Sequence, residues 1–214
     1  MSKKVLQILQ AQFGDAIVET HSHLGDDTAV VAPARWREVA RFLRDDPRCA
    51  FDMFVDITAV DHQALGGAPG GERFEVVCHL RSLQYGHRVR IKARVGELDL
   101  APTEGVEIDS LVPVWKGANW FERETFDMFG VVFKDHPDLR RMLMYPEFVG
   151  HPLRKDYAAN AIQPLIPFRD VPGKLPPFGP DEGMSFGRQT HEQRMWDTEN
   201  ENVRKADDPA LPDS

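Results

Sequence analysis

Apolar side chains recur at helical spacing in residues 3 to 13, at Val5, Ile8, Leu9 and Phe13. AIVET follows, then a turn around Gly25, Asp26 and Asp27, then TAVVA, a pattern that predicts a strand hairpin. Pro33 opens the next segment, as proline does in a first helical turn. Trp36, Val39, Ala40 and Leu43 then mark one helix face, and Pro47 ends it.

Three segments alternate with period two, the signature of half-buried strands. The apolar sets are Phe51, Met53, Val55, Ile57 and Ala59, then Phe74, Val76, Cys78 and Leu80, then Val89, Ile91, Ala93 and Val95. The opposite faces carry Asp52 and Asp56, then Glu75, then Arg88, Arg90, Lys92 and Arg94. The pattern predicts a sheet with one apolar face for helices to cover and one charged face braced by cross-strand pairs. HQALGGAPGGE, residues 62 to 72, reads as a loop.

A helix is predicted from Pro113 to Phe129, with Val114, Trp115, Ala118, Phe121, Thr125, Met128 and Phe129 on one side. Glu122 falls on that same side, whereas Arg123, Glu124 and Asp127 point elsewhere, and Arg123 and Asp127 have the spacing of a helical ion pair. After Tyr157 the periodicity stops. QPLIPFRDVPGKLPPFGPDEG is rich in proline and glycine, and the aromatic residues Phe168, Phe178, Phe186 and Trp196 stand isolated in polar sequence. These elements predict a two-layer α+β domain over residues 1–157. Helices cover one face of a mixed, mostly antiparallel sheet. An extended tail over 158–214 would lie along a partner.

The formal charge of −8 argues against bulk nucleic-acid binding, which needs a basic footprint. Cys49 and Cys78, the 2 cysteines, form neither a CxxC pair nor a disulfide framework, and iron–sulfur clusters take four thiolates. No apolar run approaches the roughly 18 residues of a membrane-spanning helix, and the N-terminus lacks the features of a signal peptide. There is no GxGxxG, GxxxxGK[ST] or GxSxG motif.

Candidate chemistry therefore concentrates in ERETFDMFG, residues 122 to 130, and the charged turn after it. An ionised carboxylate on an apolar helix face costs several kcal/mol unless paired. Glu122 is therefore expected to be neutral or to meet a buried cation, with Arg140, Arg141 and Arg154 as candidates. The catalytic reading makes Glu122, Glu124 and Asp127 an acid–base set in a self-contained enzyme. The structural reading is a buried ion pair that fixes the turn, and the missing nucleophile and phosphate loop favour it. His21 with His23, Asp61 with His62, and Asp135 with His136 are weak metal signals. The basic strand could bind an anionic ligand or simply form the charged sheet face.

ERETFDMFGVVFKDHPDLRRMLMYPEFVGHPLRKDY closely resembles the signature of the 30-kDa subunit, also lettered the C subunit, of proton-pumping NADH:quinone oxidoreductase (respiratory complex I). The landmarks are Glu122, Arg123, Glu124, Asp127, Gly130, His136, Arg141, His151, Arg154, Lys155 and Asp156. One departure is Phe148, in a run where many relatives carry tryptophan. The resemblance implies a non-catalytic core subunit of the peripheral arm, packed chiefly against the D subunit on the cytoplasmic side of the bacterial inner membrane. This chain would carry no cofactor, while FMN, iron–sulfur clusters and quinone belong to partner subunits. Arg140, His151, Arg154, Lys155 and Asp156 would face the interface, and Arg154→Ala would weaken assembly more than folding. A related membrane-bound hydrogenase or other quinone-linked complex uses an equivalent subunit, which one sequence separates poorly.

Overall fold

The computed structural model describes residues 3–99, 101 and 105–164. The expected tail from residue 165 onward, with its four aromatic residues, lies outside them. Helix α1 (Lys3–Phe13) leads into the hairpin of β1 (Ile17–His23) and β2 (Asp26–Val31). The hairpin turn is Leu24-Gly25, both at positive φ (51° and 87°), as a two-residue hairpin of the favoured twist requires. Helix α2 (Trp36–Asp45) follows a 3-10 turn that begins at Pro33. The three alternating segments form β3 (Met53–Asp61), β4 (Glu72–Arg81) and β5 (Arg88–Glu97).

These strands make one sheet in the order β1-β2-β5-β4-β3, antiparallel except where β2 lies parallel to β5. The architecture is α+β with a mixed, mostly antiparallel sheet, as the alternation predicts. One continuous core joins Val5 and Leu9 of α1 and Trp36, Val39 and Leu43 of α2 to Phe74, Val76, Cys78, Leu80, Val89 and Ile91 of the sheet. The opposite face is laced by charge. Lys92 Nζ lies 2.7 Å from Glu75, Arg94 Nη2 2.8 Å from Glu19, and His79 Nδ1 2.7 Å from Asp56.

Two sequence expectations change. A bulge between Phe54 and Asp56 shifts the register of β3 on β4. Met53 and Val55 therefore end up 41% exposed, and Phe54 turns inward against Trp115 and Phe121. The predicted long helix is shorter, because α3 runs Ala118–Phe129 and residues 111 to 117 form turns. On either side of α3 stand two short strands that the alternation is too brief to announce, β6 (Val106–Asp109) and β7 (Val131–Lys134). They pair in parallel as a separate two-stranded sheet.

Candidate functional site

Helix α3 packs chiefly against the edge strand β3 and buries Ala118, Glu122, Thr125, Asp127 and Met128. Thr125 Oγ donates to the Ile57 carbonyl at 3.1 Å, which ties the helix to that strand. Glu122 exposes none of its surface. Its Oε1 accepts the Leu111 amide at 2.6 Å and its Oε2 accepts the Ser110 hydroxyl at 2.7 Å. Burial lifts the carboxyl to about 7, against the lowering pull of those two donors and of the Arg37 charge. The positive charge that acts on Glu122 thus comes from Arg37 of α2, not from the arginines expected after the helix. Arg37 itself grips the Ser110 and Lys134 carbonyls at 2.9 and 3.1 Å. Glu122 staples the turn before α3 to the helix, and its burial gives a substrate no access.

Asp127 departs furthest from expectation. It is fully buried, and Arg123 is not its partner. Gly130 ends the helix in the left-handed region at φ +80°, and the chain folds back over a side of α3 with no apolar signal. Asp127 Oδ2 then accepts the Met142, Leu143 and Met144 amides at 3.1, 2.8 and 2.8 Å. Its Oδ1 meets Arg141 Nη1 at 2.7 Å. Burial would raise the Asp127 carboxyl, but the three amides and Arg141 outweigh it and hold the group below its ordinary value. Arg141 continues to the Gly150 carbonyl at 2.9 Å, and His151 Nδ1 lies 2.9 Å from the Asp127 carbonyl. Arg123 instead reaches the Arg140 and Arg141 carbonyls at 3.1 and 3.4 Å.

A second cluster joins GHPLRKDY to the sheet, through sheet residues outside the signature. Asp61 and Arg73, both with fully buried side chains, meet at 3.0 Å, and Arg73 also reaches Asp156 at 2.9 Å. Asp61 Oδ2 accepts the Lys155 amide at 2.8 Å. Arg154 is 3% exposed, donates to the Ala101 carbonyl at 2.8 Å and lies 3.4 Å from Asp156. The guanidinium groups of Arg73 and Arg154 lie 4.9 and 5.3 Å from the centre of the Phe74 ring, which carries both. One signal for this cluster was present in the sequence. Asp61 continues the core-facing positions Ile57 and Ala59 of β3, and a charge there demands a buried partner.

The remaining candidates are less enclosed. His136 Nε2 lies 3.1 Å from the Asn119 carbonyl while its Nδ1 accepts the Asp138 amide at 3.0 Å, so it locks the turn after β7. Glu124, Arg140 and Lys155 are exposed, and Arg140 pairs with Asp138 at 2.9 Å. Of the weak metal pairs, Asp61 is committed to Arg73, and His21 sits 3.6 Å from Glu19 on the charged sheet face. The packed part of the chain continues past Tyr157, since the Gln163 amide bonds Val149 and the Tyr157 hydroxyl.

The outcome is a segment with a buried polar interior, whose surface carries large apolar side chains among the exposed charges of Glu124, Arg140 and Lys155. Trp120, Leu143, Val149 and Leu153 are 67%, 55%, 60% and 50% exposed. Such an arrangement holds a loop-rich segment in one shape and presents large apolar side chains from it. Among the described residues no helix is long and apolar enough to cross a membrane.

The family described as respiratory-chain NADH dehydrogenase, 30 Kd subunit, matches residues 29–163. The C subunit of the NADH-quinone oxidoreductase of Burkholderia cenocepacia (strain HI2424) is 44% identical over 154 residues, covering 71% of this chain and 74% of that protein. The protein of the same name from Thiobacillus denitrificans (strain ATCC 25259 / T1) is 43% identical over 150 residues, covering 70% and 72%. Among solved structures, a chain of the membrane-bound sulfane sulfur reductase, an archaeal respiratory membrane complex, superposes with a TM-score of 0.58 at 22% identity. That likeness covers 74% of this chain and 86% of the other, and is one of fold. With the family matched from the end of β2 through β3, β4, β5, α3 and the charged segment after it, the chain belongs to the 30-kDa subunit family of respiratory-chain NADH dehydrogenase.

Proposed function

We propose that the chain is a non-catalytic core subunit of an NADH:quinone oxidoreductase, a brace for the subunits that build the quinone site. One observation carries this reading. The buried carboxylates of the motif, Glu122 and Asp127, are consumed by backbone amides, Ser110 and Arg141, while Trp120, Leu143, Val149 and Leu153 project outward. A catalytic carboxylate needs reach to a substrate, and a docking surface needs exposed apolar anchors on a rigid support. The D subunit is the chief partner in this reading. FMN, the iron–sulfur clusters and quinone reside in other subunits, and the chain sits on the cytoplasmic side of the inner membrane. The names of its relatives favour a complex fed by NADH over a hydrogenase-type relative.

The test is affinity purification of tagged chain from gently solubilised native membranes, assayed for NADH-driven quinone reduction. Flavin- and cluster-containing partners should co-purify with that activity. Recovery of the chain alone, or with a hydrogenase module, would overturn the proposal.

A further inference from the structure

The two edges of the five-stranded sheet differ. Edge strand β3 is covered by α3, and the Thr125 hydroxyl of that helix donates to the Ile57 carbonyl at 3.1 Å. The other edge, β1, pairs only with β2 among the described residues. In a two-residue hairpin the flanking pair, here His23 and Asp26, exchanges both backbone hydrogen bonds, and such pairs recur at every second position. His21 therefore also bonds towards β2, while the N–H and C=O groups of Thr20 and Ser22 point off the open edge. No backbone partner outside the hairpin meets them among the described residues. A row of such groups is a template for another strand.

The hairpin also carries two exposed apolar residues. Val18 is the extra residue of the bulge between Ile17 and Glu19 and is 62% exposed. Leu24 is 91% exposed and holds φ at 51°, where asparagine, aspartate or glycine is at ease and a bulky side chain is strained. So little packing does not explain a strained leucine at the tip, and such an outlier points to a contact outside the fold.

We propose that β1 of the free chain pairs antiparallel with β1 of a second copy, about a two-fold axis through His21. The strand's own sequence argues for this occupant. The bulge leaves residues 19 to 23 as the regular stretch, and His21 is its midpoint. This register joins Thr20 to Ser22 of the second copy, so the outward groups of both exchange hydrogen bonds. It sets Glu19 opposite His23, a carboxylate against a ring N–H donor, and Val18 opposite Leu24. Glu19 holds Arg94 through Oε2 at 2.8 Å, and its Oε1 lies 3.6 Å from its own His21, so that oxygen can accept the new donor. An axis through Thr20 or through Ser22 keeps the hydrogen-bond alternation but sets Leu24 opposite Ala16 or Thr20, and the apolar match is lost. A closed two-fold pairing covers the open edge of each copy. That it shields the chain before assembly rests on the function proposed above, whereas the pairing itself does not.

The test is sedimentation velocity of the full chain from micromolar to submillimolar concentration, with residue-resolved hydrogen exchange at both ends of the range. The expected result is a monomer–dimer equilibrium in which the Thr20 and Ser22 amides exchange more slowly as the dimer forms. Leu24→Asn should weaken the dimer about tenfold (~1.4 kcal/mol) and leave the melting temperature equal or higher, since asparagine suits the turn. A monomer throughout, a dimer that Leu24→Asn leaves intact, or a dimer that protects other amides and not these two overturns it. Recovery of flavin- and cluster-containing partners is read on assembled material, so the two proposals fail separately.

Discussion

The Asp61 carboxylate and the Arg73 guanidinium lie 3.0 Å apart, and neither side chain exposes any surface. Twelve positions separate them along the chain, yet together they hold the backbone of Lys155 and the side chain of Asp156, which arrive from the far end of the motif. The pair makes the final charged loop a part of the sheet's own structure.

Removal of one partner should therefore be far worse than ordinary surface truncation. Arg73→Met leaves Asp61 and Asp156 without their shared cation and should cost about 3–5 kcal/mol. Urea unfolding of the full chain measures this, and a loss below about 1 kcal/mol would count against the pair as the anchor of the loop.

Asp127 makes a separate prediction, in acid. Its folded pKa lies below the ordinary value of 3.8, as does that of Asp61, in each case because amide donors and an arginine outweigh burial. Each group contributes stability that is complete above the unfolded value and disappears as pH falls through the depressed folded value. Asp127→Asn should flatten this acid limb and cost about 2–4 kcal/mol at neutral pH, since Arg141 and three amides lose an anionic acceptor. An unchanged pH dependence of the melting temperature in the variant would contradict it.

Glu122 should behave with the opposite sign. Its folded pKa of about 7 stands above the ordinary 4.5, so the folded protein holds a proton that the unfolded chain releases across that interval. Stability should decline as pH rises from about 4.5 to about 7, by up to about 3 kcal/mol. Glu122→Gln keeps an acceptor for the Leu111 amide and cannot ionise. The decline should vanish, and the variant should equal or exceed wild type above pH 7. Persistence of the slope would assign it to another group.

Gly130 tests the turn that folds the chain back over α3. At φ +80° any side chain is strained, and a Cβ there would lie 2.7 Å from the His151 ring. Gly130→Ala should cost about 1–2 kcal/mol from backbone strain and more from the collision. The double variant with His151→Ala should recover the collision component only. Full recovery, read by thermal unfolding, would show that backbone conformation is not the constraint.

An assembly prediction concerns Trp120, which is 67% exposed on α3. Trp120→Ser should leave the fold of the full chain unchanged and reduce its co-purification with partner subunits at least tenfold, an effect of at least about 1.4 kcal/mol. Normal recovery of the assembled complex would remove Trp120 from the docking surface.

Local pattern alone determined a good deal of this protein. Period-two alternation identified β3, β4 and β5 and their charged outer face. Helical spacing found α1 and α2, and the position of Glu122 among apolar neighbours announced its burial. These features depend on which residues share a face, and sequence spacing encodes that directly. The signature from Glu122 to Asp156 also carried the family.

Only tertiary structure decided the partners. The bulge in β3 exchanged Val55 for Phe54 on the inner face, because one extra residue reverses the alternation. Asp127 sits off the apolar stripe of α3, and it became buried because residues 142 to 151 return over it. Arg154, expected to face a partner, packs on Phe74 beside Arg73. A buried charge selects its partner by proximity in three dimensions. Arg73 and Asp61 lie far from Asp156 in the chain, and the intervening sheet and helix bring them together.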